Sequence, residues 1–197
     1  MSISGGKLAG GNPKNGRVEN DFYATNPKAV TMLMDAYKPF QNLDILEPSV
    51  GQGHIAKILK ETYPSNRIDC MDIVDRGYPG TVISDFLTTT INKKYDCVIT
   101  NPPFSLAQEF IEKSMTVLKP NGIVCMFLKI QFLEGVKRKE FFEKYPPKYV
   151  YVFRQRMATW NNGQELDPNG KRWATTMCHA WFVWENGFNG EPTIRWL

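Results

Sequence analysis

Short apolar runs bounded by glycine, proline and amide residues alternate along the chain with longer stretches in which apolar residues recur every three or four positions. The runs Leu43 to Leu46, Arg67 to Met71, Thr81 to Ser84, Tyr95 to Thr100, Ile123 to Leu128, Tyr149 to Phe153 and Thr176 to Glu185 predict seven strands, and a short Thr193 to Trp196 run follows. Helical spacing begins at Pro27, where Val30, Leu33, Met34 and Tyr37 share a face. It returns with Ile55, Ile58, Leu59 and Tyr63, then from Leu106 to Leu118, and again from about Val136 to Lys144. Strand and helix in alternation predict an α/β fold built on an open sheet.

Residues 1–19 are rich in Gly, Asn and Lys without periodicity, so a flexible N-terminal tail is expected, with residues 20–197 as one domain. A chain of 197 residues with 42% hydrophobic and 22% charged residues has the composition of a soluble globular protein. No apolar run nears the roughly 18 residues that cross a bilayer, and the first residues lack the apolar core of a secretion signal, which predicts a cytoplasmic protein. Cys70, Cys97, Cys125 and Cys178 lie in apolar stretches with no Cys-x-x-Cys pair, which predicts reduced thiols and no metal site. The net charge of +4 is uneven: from Lys129 to Arg172 ten basic residues face five acidic ones. A basic, aromatic-bearing third suits a polyanionic partner.

Candidate chemistry gathers where the predicted strands end. After the fourth comes Asn101-Pro102-Pro103-Phe104. The prolines stiffen the turn and hold the preceding residue extended, so the Asn101 side-chain oxygen and the Pro102 carbonyl can each accept an N–H while Phe104 offers a ring face. After the first comes Glu47-Pro48-Ser49-Val50-Gly51-Gln52-Gly53-His54, a glycine turn into a helix. Such a turn suits a nucleotide-type ligand, and Gly51-x-Gly53-x-x-Ala56 fits the dinucleotide fingerprint. A carboxylate at Glu47 would repel a pyrophosphate, however, and would welcome a ligand with a cationic amino-acid end. Asp72 ends the second strand about 20 residues on, where an acid is expected to hold ribose hydroxyls, and Asp85-Phe86 ends the third with an acid and a ring suited to adenine. Ahead of the first helix, Asp21-Phe22-Tyr23-Ala24-Thr25-Asn26-Pro27 provides a cap from Thr25 or Asn26. The polar stretch 154–174 is a long loop. If strand six is parallel to the others and strand seven antiparallel, it emerges on the same edge as Asn101 as a recognition loop facing nucleic acid. Its candidate contacts, with the preceding basic residue, are Lys129, Arg154, Arg156, Trp160, Lys171 and Arg172. His54 and His179 are read as structural.

On these motifs the chain resembles the class I S-adenosylmethionine-dependent methyltransferases, and among them the small phage and prophage enzymes that make N6-methyladenine in DNA. The resemblance covers about residues 20 to 185. It implies a Rossmann-like seven-stranded mixed sheet with the last strand antiparallel and helices on both faces. Tyr23, Thr25 and the Gly51 to Gly53 turn would then contact the cofactor's methionyl end, with Asp72 on the ribose, Asp85 and Phe86 on the adenine, and Asn101 to Phe104 on the target base. The family's tyrosine-x-threonine-proline element has Asn26 inserted here, and the roughly 50 residues between the glycine turn and Asn101 leave no room for a recognition domain between them.

The chemistry so implied needs neither a metal nor a catalytic histidine. An adenine amino group is a poor nucleophile because its lone pair is delocalised, and two acceptors would favour its pyramidal form and aim it. In a duplex the base must first be flipped out. Three alternatives stand beside this reading: an RNA base amino-methyltransferase, a protein glutamine N-methyltransferase, and a nicotinamide-dependent oxidoreductase or silent nucleotide-binding module. The last leaves the double proline without a purpose.

Overall fold

The computed structural model describes residues 22–37 and 40–197; the tail expected over residues 1–19 lies outside the described residues. In chain order the elements are β1 (Tyr23–Ala24), α1 (Pro27–Ala36), β2 (Asp44–Glu47), α2 (His54–Thr62), β3 (Arg67–Asp72), β4 (Thr81–Ile83), β5 (Tyr95–Thr100), α3 (Ala107–Val117), β6 (Leu118–Lys129), α4 (Lys139–Lys144), β7 (Tyr149–Val152), β8 (Trp160–Asn161), β9 (His179–Glu185) and β10 (Thr193–Trp196). Eight strands form one sheet in the order β10-β7-β9-β6-β5-β2-β3-β4. β9 runs antiparallel to both neighbours and every other pairing is parallel. This is the Rossmann-like mixed sheet expected, with one strand more.

The strands read as continuous apolar runs because both faces of the sheet are covered. Along β2 and β9 successive side chains go to opposite sides: Ile45 and Trp181 pack with Val30, Leu33, Ile55 and Leu59 from α1 and α2. Leu46 and Phe182 pack with Phe110, Ile111 and Phe141 from α3 and α4. The Trp181 indole N–H donates to the Ala29 carbonyl at 2.8 Å and so fixes the start of α1 against the sheet. Asn26 caps α1 by accepting the Lys28 amide at 3.0 Å, with Pro27 in the first turn.

Three boundaries differ from expectation for local reasons. β6 begins at Leu118 because the Pro120-Asn121-Gly122 turn is absorbed as a register shift opposite Tyr95 and Cys97, with Asn121 at φ +59°. The expected helix from Val136 divides into a 3-10 turn, Val136–Arg138, and α4. The Thr193 to Trp196 run became an eighth strand by pairing with the exposed edge of β7, where Arg195 lies 4.7 Å over the Tyr149 ring. The carboxyl ends of β2, β3, β4, β5, β6 and β7 therefore share one edge of the sheet. At the opposite edge Asp44 takes hydrogen bonds from Arg67 and Lys119, which hold its carboxyl well below the usual range.

Candidate active site

The glycine turn is shaped by Asp72. Its Oδ2 accepts the Gly51 amide at 2.8 Å and its Oδ1 the Val74 amide at 3.0 Å, tying the end of β3 to the turn after β2. Gly51 and Gly53 take φ values of +56° and +79°, which only glycine adopts cheaply. Both are roofed by aromatic rings: a Cβ on Gly51 would fall 2.5 Å from the Phe22 ring, and one on Gly53 would run into that of Tyr78. The Arg76 guanidinium in turn lies 4.2 Å over Phe22. Gly53→Ala should therefore lower stability by about 1–3 kcal/mol, checked by denaturant unfolding, because it combines a left-handed backbone with displacement of Tyr78.

Beside this turn a cleft opens between the ends of β2, β3 and β5, lined by Tyr23, Thr25, Glu47, Ser49, Asp72 and Asn101 among others. Glu47 is 1% exposed, and its Oε2 has no hydrogen-bond partner among the described residues. Burial raises its pKa well above the ordinary carboxyl value, the Ala56 amide offsets part of that, and the nearby Asp72 carboxylate adds to it. A buried acceptor left open on a cleft wall fits a cationic donor. His54, also on the wall, meets Trp160 edge-on at 5.4 Å; burial and then Lys57 lower its pKa.

Asn101 joins the cleft to the N-terminal segment. Its Nδ2 donates to the Tyr23 carbonyl at 2.7 Å, so Oδ1, which can only accept, is left for an incoming N–H. Tyr23 is held in place by β8, since Tyr23 pairs with Asn161 and Ala24 with Trp160. The 154–174 loop thus closes back over the edge where Asn101 sits. Gly163, at φ +71°, lies against the Gln52 side chain of the glycine turn.

Phe104 faces a second cleft, shared with Ala107, Leu128, Lys129, Gln131, Phe132 and Arg138. The Lys129 ammonium stands 4.8 Å over the Phe104 ring. Below it, Phe104 stacks on His179 at 5.9 Å, and His179 on Phe127 at 4.9 Å. His179 is buried, which lowers its pKa to about 4; the Met157 carbonyl pulls it back up and Lys129 pushes it further down. The neutral ring donates from Nδ1 to the Met157 carbonyl at 2.9 Å.

The structure thus brings Tyr23, Thr25, Glu47, Asp72 and Asn101 together around one cleft, with Pro103 on its wall and Pro102 buried beneath. Pro48 is buried beside the turn, and Gly51 and Gly53 sit under their rings. Phe86 is a correction: its ring is 2% exposed and packs 5.2 Å from Phe110 in the core, so it offers no face to the cleft. Asp85 caps its own turn by accepting the Leu87 amide at 2.9 Å, and it does not line the cleft. Among the residues expected to face nucleic acid, Arg154, Lys171 and Arg172 are exposed. Arg156 is exposed too and bonds the Thr176 carbonyl and the Cys178 sulfur, while the half-buried Trp160 meets His54 edge-on. Cys178 is also more exposed than the other three thiols. Phe22, Arg76 and Tyr78 carried no sequence signal, because their role depends on which loop folds over which glycine.

Sheet order, the antiparallel β9 and an acid-walled cleft at the strand ends define a class I S-adenosylmethionine-dependent methyltransferase. The methyltransferase small domain family matches residues 27–145, and the chain belongs to that family. Over 95 residues it is 25% identical to the type II methyltransferase M.CvrRI of Paramecium bursaria Chlorella virus XZ-6E, covering 44% of this chain and 25% of the relative. Over 128 residues it is 29% identical to the malonyl-[acyl-carrier protein] O-methyltransferase of Acetivibrio thermocellus, covering 53% and 45%. The chain therefore spans less than half the length of these relatives. Its fold superimposes on a Listeria monocytogenes protein described as a class I S-adenosylmethionine-dependent methyltransferase, with TM-score 0.65 and 14% identity over 93% of this chain and 67% of the other.

The cofactor is S-adenosylmethionine, and the cleft suits it. Glu47 offers an unpaired buried acceptor for a cationic amino group, and Thr25, Ser49 and Asp72 add polar groups around it. When bound, this cofactor supplies a methyl group on a sulfonium centre.

Proposed function

We propose that this protein methylates the exocyclic N6 amine of adenine in DNA. The observation that carries the reading is the tie between Asn101 and Tyr23. With Nδ2 committed to a main-chain carbonyl, the amide is held and Oδ1 is kept as an acceptor; the carbonyl of the next residue, Pro102, is the second acceptor in this reading. Two fixed acceptors suit a primary amine attached to a planar ring, which needs both N–H groups held while its lone pair is aimed. A hydroxyl, with one O–H, could use only one of them, which favours an amine acceptor over an oxygen one. Phe104, the next residue but two, would supply a ring face once the Lys129 ammonium over it moves aside, and its stack on His179 keeps it from tilting.

The chain's own residues account for each requirement of transfer. Asn101 and Pro102 hold the amine, Phe104 holds the ring, and the proton released from nitrogen can leave to solvent without a dedicated base. Similarity to a type II methyltransferase and the excess of basic residues between Lys129 and Arg172 favour a nucleic-acid acceptor. Incubation with methyl-labelled cofactor and DNA, RNA or protein, followed by nucleoside mass spectrometry, tests the proposal. The expected product is N6-methyladenine in DNA. Label found only in RNA, only in protein glutamine, or on an oxygen would overturn it.

A further inference from the structure

The chain between the two sides of the Phe104 cleft carries an unusual tip. Gln131, Phe132 and Arg138 line the cleft, and the residues between them turn outward. Leu133 is 42% exposed and Val136 is 95% exposed, the largest value among the exposed large apolar residues. An exposed aliphatic side chain on a slack loop needs no explanation, but this loop is braced. The Glu134 amide donates to the Gln131 carbonyl at 2.9 Å, the Arg138 amide to the Gly135 carbonyl at 3.0 Å, and Arg138 Nη1 to the Glu134 carbonyl at 2.6 Å and the Phe132 carbonyl at 3.3 Å. The Arg138 guanidinium also rests 4.6 Å over the Phe132 ring. That ring is buried against Phe182, Phe141 and Trp184. Gly135, at φ +116°, makes the reversal that only glycine accepts readily.

Resting on the reading of the site as a DNA adenine methyltransferase, we propose that Leu133 and Val136 form a wedge that enters the duplex at the step vacated by the target base. The tip stands on the same sheet edge as Asn101 and shares its cleft with Phe104, so it meets the same stretch of acceptor. Lys137 and Lys139 follow Val136, within the basic third of the chain, which suits a phosphate backbone beside an apolar point. Pulling a base from a stack leaves an apolar gap between its neighbours, and aliphatic side chains fill such gaps. The braces matter because the wedge must keep its shape while the stack is opened.

The test compares the wild type with the double variant Leu133→Ala, Val136→Ala on three acceptors: a matched duplex, the same duplex with the target adenine opposite an abasic site, and the single strand. Methyl transfer to the matched duplex is expected to fall about tenfold or more in kcat/KM. The single strand and the abasic duplex, whose adenine is already unpaired, should be used within about twofold of wild type. Equal losses on all three, or no loss on any, would overturn the wedge, as would a wild type that uses only single strands, which leaves adenine methylation intact. A wild type that methylates no DNA sinks both. Sedimentation of Val136→Asp adds a control: conversion of a dimer to a monomer would assign the tip to self-association and overturn the inference.

Discussion

Alanine at Asn101 should slow methyl transfer on the order of 10²- to 10³-fold at saturating cofactor, the loss seen when one preorganised polar group is removed from a transition-state cradle. Cofactor affinity should change much less. Among the described residues the side-chain amide makes a 2.7 Å hydrogen bond to the Tyr23 carbonyl, and a net hydrogen bond is worth about 1 kcal/mol, or roughly fivefold in a dissociation constant. Tyr23 and Ala24 keep their pairing with Asn161 and Trp160, so the N-terminal segment should stay on the site without the amide. Single-turnover rates and calorimetric titration of the cofactor separate the two effects. If the dissociation constant rose as far as the rate fell, Asn101 would be a prop for the cofactor cleft, and the assignment of its Oδ1 to the acceptor amine would be lost.

What the sequence revealed of this site divides by the range of the interactions involved. Asn101, Glu47 and Asp72 were legible because each ends a short apolar run, and a parallel sheet delivers strand ends to one edge whatever the details of packing. The double proline and the paired glycines restrict the backbone locally, so their turns were legible for the same reason. Phe86 was misjudged because a ring next to an acid at a strand end reads alike whether it faces a ligand or the core. Only its packing against Phe110 decides the matter. The two-residue ribbon between Tyr23–Ala24 and Trp160–Asn161 joins segments more than a hundred residues apart by a pairing too short to leave a periodic pattern. It is nevertheless what holds the Tyr23 carbonyl where Asn101 needs it. The Thr193 to Trp196 run is visible in the sequence but does not count among the seven strands, since nothing in its alternation marks a strand that pairs only on one side and all four of its residues are exposed.

Glu47 should make cofactor binding strengthen as pH rises, over a window higher than that of an exposed carboxylate. Burial, with Asp72 beside it, keeps the empty protein's Glu47 carboxyl protonated above the ordinary range, so the folded chain holds a proton that the unfolded chain releases. Stability of the cofactor-free protein therefore falls as pH rises from the unfolded value of about 4.3 through the raised folded value, because the folded state binds more protons across that window. Engaging a cationic amino group requires the ionised form, so affinity should rise with pH over the same window by up to about tenfold per unit, and level off above it. Glu47→Gln keeps the shape and removes the charge. At the upper plateau it should weaken cofactor binding by about 3–5 kcal/mol, the cost of leaving one member of a buried ion pair alone. In the same variant the slope with pH should vanish, and the empty protein should no longer lose stability as pH rises. Calorimetric titrations and thermal unfolding, carried upward from the unfolded value of about 4.3 until the slope flattens, test all three. A glutamine variant that kept the wild-type slope would place the titrating group elsewhere and take Glu47 out of the cofactor site.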